Sequence, residues 1–572
     1  MNKNIKIFYI LFLGNIMIDD FLLLKLNRTI WVSLLAQNKV IEAVSYYETY
    51  RNNLAIFQNN KQLKEQVLDE AAYSQGYFLN KITAIAEKYI KEKDYSNAAI
   101  CYTAIFKYEQ SNVNDIKNYI LCLEQLEQFD LASEILEHLE SSTPKDISIY
   151  KFLSEAYNKQ NNNYKSVQYM EKYLSEKDTD KITASEYNLL GCYYNKLYTD
   201  NSHKYEDIIK SLDNFKKASD IEPFNKLFMK NATIMASKAN DHQAGRYYWN
   251  EILKLDNMSN DDKYDYAAFC LKNQDFEGWY KYFNARFAKE NNPTQFPKIS
   301  KPEWNGIKDL TNHTLLVHYE QGFGDTFLTW GYIPRLAKLA KHVIYICQDN
   351  IYELLKDNPY GVEVIPKTLA DLSKIKFDYY IPSMSIPIAL KLNRENISVG
   401  EGYIKANPEL VQDFKERYFN NDKFKIGISF AGSINGNHTR DILIENFLPL
   451  DQIKGIEIYS LTKDISDNRF ECFKNNPVQN IAKDFRNFAD TAAAIENLDL
   501  VLTSDNCILN LSGALGKKTL ALFNWHYEFR WFDLSGKDVV WFTSVEPIVN
   551  DKIDNWSYAI NKAVQRIEEL KK

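Results

Sequence analysis

Three polar segments of this 572-residue chain contain the residue types that could do chemistry. The first, EQGFGD at 320–325, directly follows an apolar run and opens a helical pattern. Gly322 and Gly324 predict a tight turn, shared with Gln321, and a close approach of the backbone to a ligand. Asp325, near the start of the predicted helix, could take a proton from an acceptor hydroxyl. The alternative is an aspartate that only caps the helix.

The second segment, AGSINGNHTR at 431–440, follows the apolar run 425–430. The backbone around Gly432, the hydroxyl of Thr439 and the guanidinium of Arg440 could together hold phosphate oxygens. An ordinary surface loop explains the same composition equally well. The segment alone therefore does not decide between the two.

The third segment starts at Ser504, after the apolar run 500–503, and continues as a small-residue helix predicted to begin at Asp505. A helix N-terminus at the carboxyl end of a strand suits a pyrophosphate. Asp505 could accept hydrogen bonds from sugar hydroxyls, and Asn506 and Asn510 could donate to phosphate or sugar. The alternative makes Asp505 only a helix cap.

The elements that must position these segments alternate between strand and helix after residue 313, which predicts an α/β fold. Apolar runs typical of buried parallel strands lie at 314–319, 342–347, 362–365, 377–381, 425–430, 456–461, 500–503 and 519–523. Helical patterns cover 326–340, 351–355, 489–498 and 556–570. We assign them to two Rossmann-like lobes, 313–408 and 409–572, with the first on the acceptor side and the second on the donor side. Ligands bind such sheets at the carboxyl ends of the strands, so we expect the three segments to meet in a cleft between the lobes.

The first half of the chain is repetitive. Small residues recur at Ala98, Ala132 and Ser166, a step of 34 residues that is typical of tetratricopeptide-like helical pairs. A fifth unit places Ala244 and Tyr248 in the same roles. The pattern predicts an α-helical solenoid.

We assign residues 1–290 to this solenoid and 291–312 to a linker, because Pro293, Pro297 and Pro302 end helical structure. Such arrays present a concave surface that could hold a peptide or a protein partner. A spacer or a dimerisation surface is the alternative, and the sequence does not separate these.

Composition excludes several classes of function. A formal net charge of −7 argues against nucleic acid as the main partner. The seven cysteines are dispersed without a CxxC pair, which favours free thiols in the cytoplasm over a disulfide framework or a zinc site. The apolar run 7–18 is similar to a short signal peptide, but no small-residue cleavage site follows it, and it is too short to span a bilayer. We favour a repeat helix or a start-site artefact over export, and we expect no stable membrane insertion.

In this order, the three segments resemble those of the heptosyltransferase-like glycosyltransferases of family nine, which have the GT-B fold. The closer resemblance is to bacterial proteins that fuse tetratricopeptide repeats to such a domain. The segments that carry it are DFEGW at 275–279, EWNG at 303–306, EQGFGDT at 320–326, FADTAAAIENLDLVLTSD at 488–505, LSGALGKK at 511–518 and EFRW at 528–531.

The resemblance implies sugar transfer from a nucleotide-sugar donor, with no metal or other cofactor. It implies Asp325 as the base, Asp505 as a contact of the donor sugar and Arg440 as a phosphate contact. The chain departs from the family at Asn510, where histidine is usual, and at Gly331, where arginine is usual. We expect an inverting transfer to a protein or surface glycan, with the repeats recruiting the acceptor or a partner. A non-catalytic repeat scaffold with a degenerate transferase domain is the alternative.

Overall fold

The computed structural model describes residues 20–57, 64–108, 113–142, 147–202, 204–255, 257–288, 297–432, 440–531, 539–551 and 555–572. The chain forms two compact units, and the division falls between Leu197 and Tyr198. The described part of the first unit is helical, whereas the second combines helices with two parallel sheets. The predicted helical solenoid followed by an α/β fold of two Rossmann-like lobes is confirmed.

Helical pairs build the first unit. Its helices are α1 (Asp20–Ala36), α2 (Val40–Phe57), α3 (Lys64–Lys91), α4 (Tyr95–Tyr108), α5 (Val113–Gln125), α6 (Phe129–Ser142), α7 (Ser148–Lys159), α8 (Asn163–Glu176) and α9 (Ala184–Leu197). The starts of α4, α6 and α8 follow the predicted repeat step. Ala98, Ala132 and Ser166, each in the first turn of one of these helices, have 0% of their surface exposed, so the small residues let neighbouring helices approach.

A left-handed residue stands in the turn before each of these helices. The φ angle is 60° at Lys93, 56° at Glu127 and 59° at Asn161, although none of them is glycine. After each, a backbone N–H returns to a carbonyl of the preceding helix, at 2.9 Å for Asp94 and 2.8 Å for Gln128. This bond ends one helix and fixes the direction of the next, which offsets the steric cost of a positive φ.

The second unit begins with further helical pairs, which are α10 (Tyr205–Ile221), α11 (Lys226–Lys238), α12 (His242–Lys254), α13 (Asn260–Lys272) and α14 (Phe276–Tyr282). One predicted position is wrong here, because the buried small residue of α12 is Gly245 and not Ala244. A Cβ atom at Gly245 would lie 2.6 Å from Cε2 of Phe269. Glycine thus lets α12 and α13 approach, and Tyr248 is buried as predicted.

The first lobe contains a four-stranded parallel sheet of order β3-β2-β1-β4. Its strands are β1 (Thr314–His318), β2 (His342–Cys347), β3 (Glu363–Pro366) and β4 (Tyr379–Pro382). Its helices are α15 (Phe323–Trp330), α16 (Ile333–Leu339), α17 (Asp349–Leu355) and α18 (Ile386–Ala389). The strand order reverses between β1 and β4, which makes the carboxyl end of β1 a topological switch point.

The second lobe contains a six-stranded parallel sheet of order β10-β9-β8-β5-β6-β7. Its strands are β5 (Phe424–Ser429), β6 (Ile456–Ser460), β7 (Val478–Asn480), β8 (Leu500–Ser504), β9 (Thr519–Phe523) and β10 (Val545–Val549). Its helices are α19 (Pro408–Tyr418), α20 (Phe488–Glu496), α21 (Cys507–Leu515) and α22 (Ser557–Leu570). This is the doubly wound strand order, with its switch point between β5 and β8.

Two predicted helix positions differ from the structure. The predicted helix 326–340 is two helices, α15 and α16, because Pro334 starts a new helix shortly after Gly331 ends the first. The helix after β8 begins at Cys507, two residues later than predicted, and its cap is Asn506. Asp505 is therefore not a helix cap.

Part of the predicted linker belongs to the first sheet. The Trp304 backbone N–H donates to the Tyr380 carbonyl at 2.8 Å, and Trp304 itself is buried. At Gly306, φ is +82° and a Cβ atom would lie 1.8 Å from the carbonyl oxygen of Ala389, so only glycine fits. The predicted domain boundaries stay predictions, and Pro293 lies outside the described residues.

The predicted apolar run 7–18 also lies outside the described residues. Among the helices that the structure does describe, none combines the length and the apolar character needed to cross a membrane. All seven cysteines are free.

Candidate functional site

The two switch points bring the predicted site residues of both lobes together. Asp325 follows β1, Arg440 follows β5 and Asp505 follows β8. Arg530, on the segment after β9, forms an ion pair with Asp325, while Arg440 lies near both Asp505 and Glu528. We call these five residues the charge cluster. It joins the carboxyl edges of the two sheets.

Asp325 lies in the first turn of α15 and is only 7% exposed. Its Oδ2 accepts a hydrogen bond from the backbone N–H of Gly322 at 3.0 Å. Its Oδ1 accepts one from Nη1 of Arg530 in the other lobe. The capping bond fixes the carboxylate, so that its second oxygen faces the charge cluster.

Arg530 is a site residue that the sequence analysis did not assign. Its Nη2 lies 2.8 Å from Oε2 of Glu528, and its Nε donates to the same oxygen at 2.9 Å. Burial lowers the pKa of the Arg530 guanidinium, but Asp325, Glu528 and Asp505 outweigh that effect and hold the pKa well above its usual value. The one available signal was its place in the EFRW segment at 528–531.

Arg440 is the second guanidinium of the charge cluster. Its Nη1 lies 3.6 Å from Oδ2 of Asp505 and 3.7 Å from Oε1 of Glu528, and 31% of its side chain is exposed. These contacts are longer than hydrogen bonds. Arg440 can therefore reorient towards an anionic ligand without losing a hydrogen bond to either carboxylate.

Asp505 carries the most perturbed carboxyl group of the charge cluster. Burial raises its pKa from 3.8 to about 6, against the opposing effect of Arg440. Its Oδ2 is buried and has no hydrogen-bond partner among the described residues. A buried acceptor without a donor costs free energy, which a ligand hydroxyl would recover by donating to it.

Asn506 and Asn510, which are predicted to donate to phosphate or sugar, make contacts within the second lobe. The Asn506 side chain caps α21 by accepting from Ile508 N–H at 2.9 Å, and its amide group donates to Ser429 Oγ at 3.0 Å. It is committed to joining β5 and β8 at the switch point. Nδ2 of Asn510 donates to the Asn506 carbonyl at 3.5 Å, and its Oδ1 is buried without a partner within the described residues, so the side chain presents an acceptor.

Gly324 serves the contact between the lobes. A Cβ atom at this position would lie 2.7 Å from Nδ2 of Asn510 and 3.5 Å from Cα of Cys507. Helices α15 and α21 therefore pack directly against one another here. The close approach to a ligand stays a prediction, whereas the close neighbour of Gly324 in the structure is Asn510 of the second lobe.

The predicted tight turn at 320–322 takes its left-handed conformation at Gln321, where φ is 58°, and not at Gly322, where φ is −83°. Gln348 holds this turn, because its Nε2 donates to the Gly322 carbonyl at 3.2 Å while its Oε1 accepts from Thr326 Oγ1 at 2.8 Å.

The loop after β5 is described only in part. The Gly432 backbone N–H donates to Oδ1 of Asp441 at 2.9 Å, so it is already engaged. Thr439, a predicted phosphate contact, lies outside the described residues.

A second buried ion pair supports the first switch point and was also missed from the sequence. Arg286 donates to Glu320 through Nε and Nη2, both at 2.9 Å, and the two side chains are 5% and 0% exposed. Glu320 also accepts from the Met384 backbone N–H at 3.0 Å, and Arg286 donates to Ser385 at 2.7 Å. This satisfied pair ties the helical segment after α14 to the ends of β1 and β4.

Helices α11 and α13 contact the segment that carries Arg530. Asn240 donates to the Trp525 carbonyl at 3.1 Å, and the Lys272 ammonium lies 5.2 Å from the centre of the Tyr527 ring. His526 lies between Trp525 and Tyr527 in the sequence. Burial and the nearby lysines lower its pKa to about 3, so its imidazole is neutral at physiological pH. The segment is thus packed against the helical part of the same unit.

Gly331 has no room for a side chain. A Cβ atom at Gly331 would lie 2.5 Å from Cβ of Val399 and 3.0 Å from Cζ of Tyr403. The described residues contain no group of three or more histidine, cysteine or carboxylate side chains arranged to hold a metal ion.

No model of a known protein family and no curated protein matches the sequence. Among solved structures, the chain is similar to a glycosyltransferase of family 9 from Veillonella parvula, with 16% identity and a TM-score of 0.34 over 46% of this chain and 91% of that one. It is also similar to MamA, a tetratricopeptide-repeat protein, from Desulfovibrio magneticus, with 14% identity and a TM-score of 0.27 over 31% of this chain and 95% of that one. A second MamA structure matches with 15% identity and a TM-score of 0.28.

Proposed function

We propose that this chain is a glycosyltransferase that moves a sugar from a nucleotide-sugar donor to a protein or surface-glycan acceptor. One observation carries the proposal, which is the charge cluster at the facing carboxyl edges of two parallel sheets. Such edges are where α/β sheets bind ligands. The cluster combines carboxylates, which can accept protons and sugar hydroxyls, with guanidiniums that match a diphosphate.

In the proposed reaction, Asp325 accepts the proton of the acceptor hydroxyl while that oxygen attacks the anomeric carbon. The bond between the anomeric carbon and the diphosphate oxygen breaks, and the nucleoside diphosphate leaves with both electrons of that bond. The single displacement inverts the anomeric centre. Arg440 and Arg530 stabilise the negative charge of the leaving group. Stabilisation by charges that are already in position is usually the largest single contribution to catalysis.

Asp505 would bind the donor sugar in this scheme. Oδ2 of Asp505 and Oδ1 of Asn510 are buried acceptors without a hydrogen-bond partner among the described residues, and such acceptors suit sugar hydroxyls better than phosphate oxygens. The guanidiniums of Arg440 and Arg530 would bind the phosphates. The repeats would recruit the acceptor or a partner protein, and the free cysteines agree with a cytoplasmic location.

Calorimetric titration of UDP, GDP, ADP and CDP tests the donor part of the proposal. Arg440→Ala should weaken the affinity for the preferred nucleotide by roughly ten- to a hundred-fold, because a charge-assisted contact contributes about 1.5–3 kcal/mol. Arg469→Ala is the matched control, since it removes a cation of the same lobe that pairs with Glu445 at the surface. Wild type that binds none of the four at millimolar concentration would support the scaffold instead.

Turnover tests the acceptor part. Asp325→Asn preserves the shape and the bond from Gly322 but removes the basic group, so transfer should nearly cease. Undiminished transfer by this variant would remove Asp325 from the mechanism.

A further inference from the structure

The ion pair between Asp325 and Arg530 sets a condition on the proposed reaction. Oδ2 of Asp325 is fixed by the Gly322 N–H at 3.0 Å, and Oδ1 accepts from Arg530. The acceptor hydroxyl has to reach Oδ1, the oxygen that Gly322 does not hold, and the Arg530 guanidinium is hydrogen-bonded to that oxygen. Arg530 is therefore the partner whose movement would clear the base.

Arg530 is built to move by its side chain alone. Its backbone carbonyl accepts from Nε1 of Trp541 at 2.8 Å, and its neighbour Trp531 is 1% exposed, so the main chain is anchored. Its side chain is 20% exposed, so it is not enclosed on every side. Arg440 also lies near Glu528, so the two cations of the charge cluster share this carboxylate as a neighbour.

A diphosphate competes well for such a guanidinium. It carries more negative charge than a carboxylate and accepts the planar fork of arginine with two oxygens. Asp325 offers one oxygen only, because its other oxygen is occupied. A diphosphate can therefore at least replace the hydrogen bond that Arg530 gives up at Asp325.

We propose that Arg530 exchanges partners on donor binding, leaving Asp325 for the diphosphate and so freeing the base only when a nucleotide sugar is in place. The inference rests on the proposed function and adds its regulation. Arg530 is thereby a donor-binding residue that also controls Asp325. The consequence is an ordered reaction, in which the donor binds before the acceptor hydroxyl can reach a competent base.

The exchange makes nucleotide binding and the ion pair mutually exclusive, which thermodynamic linkage turns into a test. If Asp325 competes for Arg530, removing its charge must tighten nucleotide binding. Asp325→Asn should therefore raise the affinity for the preferred nucleoside diphosphate by roughly tenfold. Arg530→Gln should lower it by roughly ten- to a hundred-fold. In the double variant, the effect of Asp325→Asn should vanish, because no guanidinium remains to be released.

Matched controls separate this coupling from a general change of charge. Asp371→Asn removes an exposed negative charge of the first lobe, and Arg469→Gln removes a surface cation of the second lobe. Neither should change nucleotide affinity measurably. Thermal melts of every variant identify any loss of folding. Arg530→Lys is included as a variant that keeps the positive charge.

The titration uses the full chain and the nucleoside diphosphates UDP, GDP, ADP and CDP. Tightening by Asp325→Asn that disappears in the double variant supports the exchange. If wild type binds a nucleotide but Asp325→Asn leaves its affinity unchanged or weaker, the exchange is refuted and the proposed function stands. If Asp325→Asn tightens binding equally with and without Arg530, the effect is one of charge alone, and the exchange is refuted. If wild type binds none of the four, the proposed function fails, and the exchange fails with it.

Discussion

Replacing Asp505 with asparagine should make the protein more stable at neutral pH. Burial raises the pKa of this carboxyl from 3.8 to about 6, with Glu528 also raising it and Arg440 and Arg530 lowering it. The folded state therefore holds the proton more tightly than the unfolded state does. Stability from this group is complete below about pH 4 and is lost as the pH rises through about 6.

The magnitude follows from the pKa shift. Each pKa unit corresponds to about 1.36 kcal/mol, so the ionised Asp505 lowers the free energy of unfolding by about 3 kcal/mol at pH 7.5. At pH 5 the same group costs about half of that. Asparagine has nearly the same shape and no charge, so Asp505→Asn should recover most of this free energy at pH 7.5 and less at pH 5.

Urea denaturation of wild type and variant at both pH values measures the difference. Asp490→Asn in the same lobe is the control, because the pKa of Asp490 is shifted in the opposite direction. Burial raises the pKa of Asp490, but Arg486, which donates to it at 2.7 Å and 2.8 Å, outweighs burial and lowers the pKa. Stability from Asp490 is present above about pH 4 and lost as the pH falls further, so its replacement should destabilise at pH 7.5 and at pH 5.

The reasoning fails if Asp505→Asn is less stable than wild type at pH 7.5, or if its advantage grows towards pH 5. Either result would mean that Asp505 is stabilised as an anion, with Arg440 as a strong partner. The predicted gain has a functional meaning, because residues retained at a cost in stability are characteristic of binding and catalytic sites. The more stable variant should bind the donor sugar less well.

Two further predictions concern the supports of the site. Arg286→Met leaves the buried carboxylate of Glu320 without its cation, and the free energy of unfolding in urea should fall by about 3–5 kcal/mol; a loss below 1 kcal/mol would show that the pair is dispensable. Gly324→Ala places a Cβ atom 2.7 Å from Nδ2 of Asn510 and should destabilise by about 1–3 kcal/mol. Most of that loss should disappear when Asn510→Ala is added, and an undiminished loss would locate the strain elsewhere.

The fold was predictable where local pattern and burial agree. The apolar runs at 314–319 and 500–503 are strands because a central parallel strand is buried on both faces and reads as continuous hydrophobic sequence. The strands β7 and β10 were not predicted, because both lie at sheet edges where no such run is needed. Pro547 even interrupts the pattern of β10, and proline is tolerated there because an edge strand has unpaired groups.

The charge cluster was predictable only in part, and the reason is distance along the chain. Asp325, Arg440 and Asp505 each follow a strand, so the rule for carboxyl ends predicts that they meet. Arg530 is 205 residues from Asp325, and nothing local specifies that pair. Arg286 likewise pairs with Glu320 only because α14 and β1 come together in the folded unit.

The contacts that α11 and α13 make with the second lobe decide where the chain can be cut to test whether the repeats recruit an acceptor. Asn240, after α11, and Lys272, at the end of α13, hold Trp525 and Tyr527, and the same segment continues to Arg530. These helices thus support the charge cluster, and they belong to the same compact unit, which begins at Tyr198. A chain cut at residue 290 would lose these contacts, so a loss of transfer activity would follow whether or not the repeats recruit an acceptor. Recruitment is tested only by a cut that removes α1–α9 and keeps α10–α14.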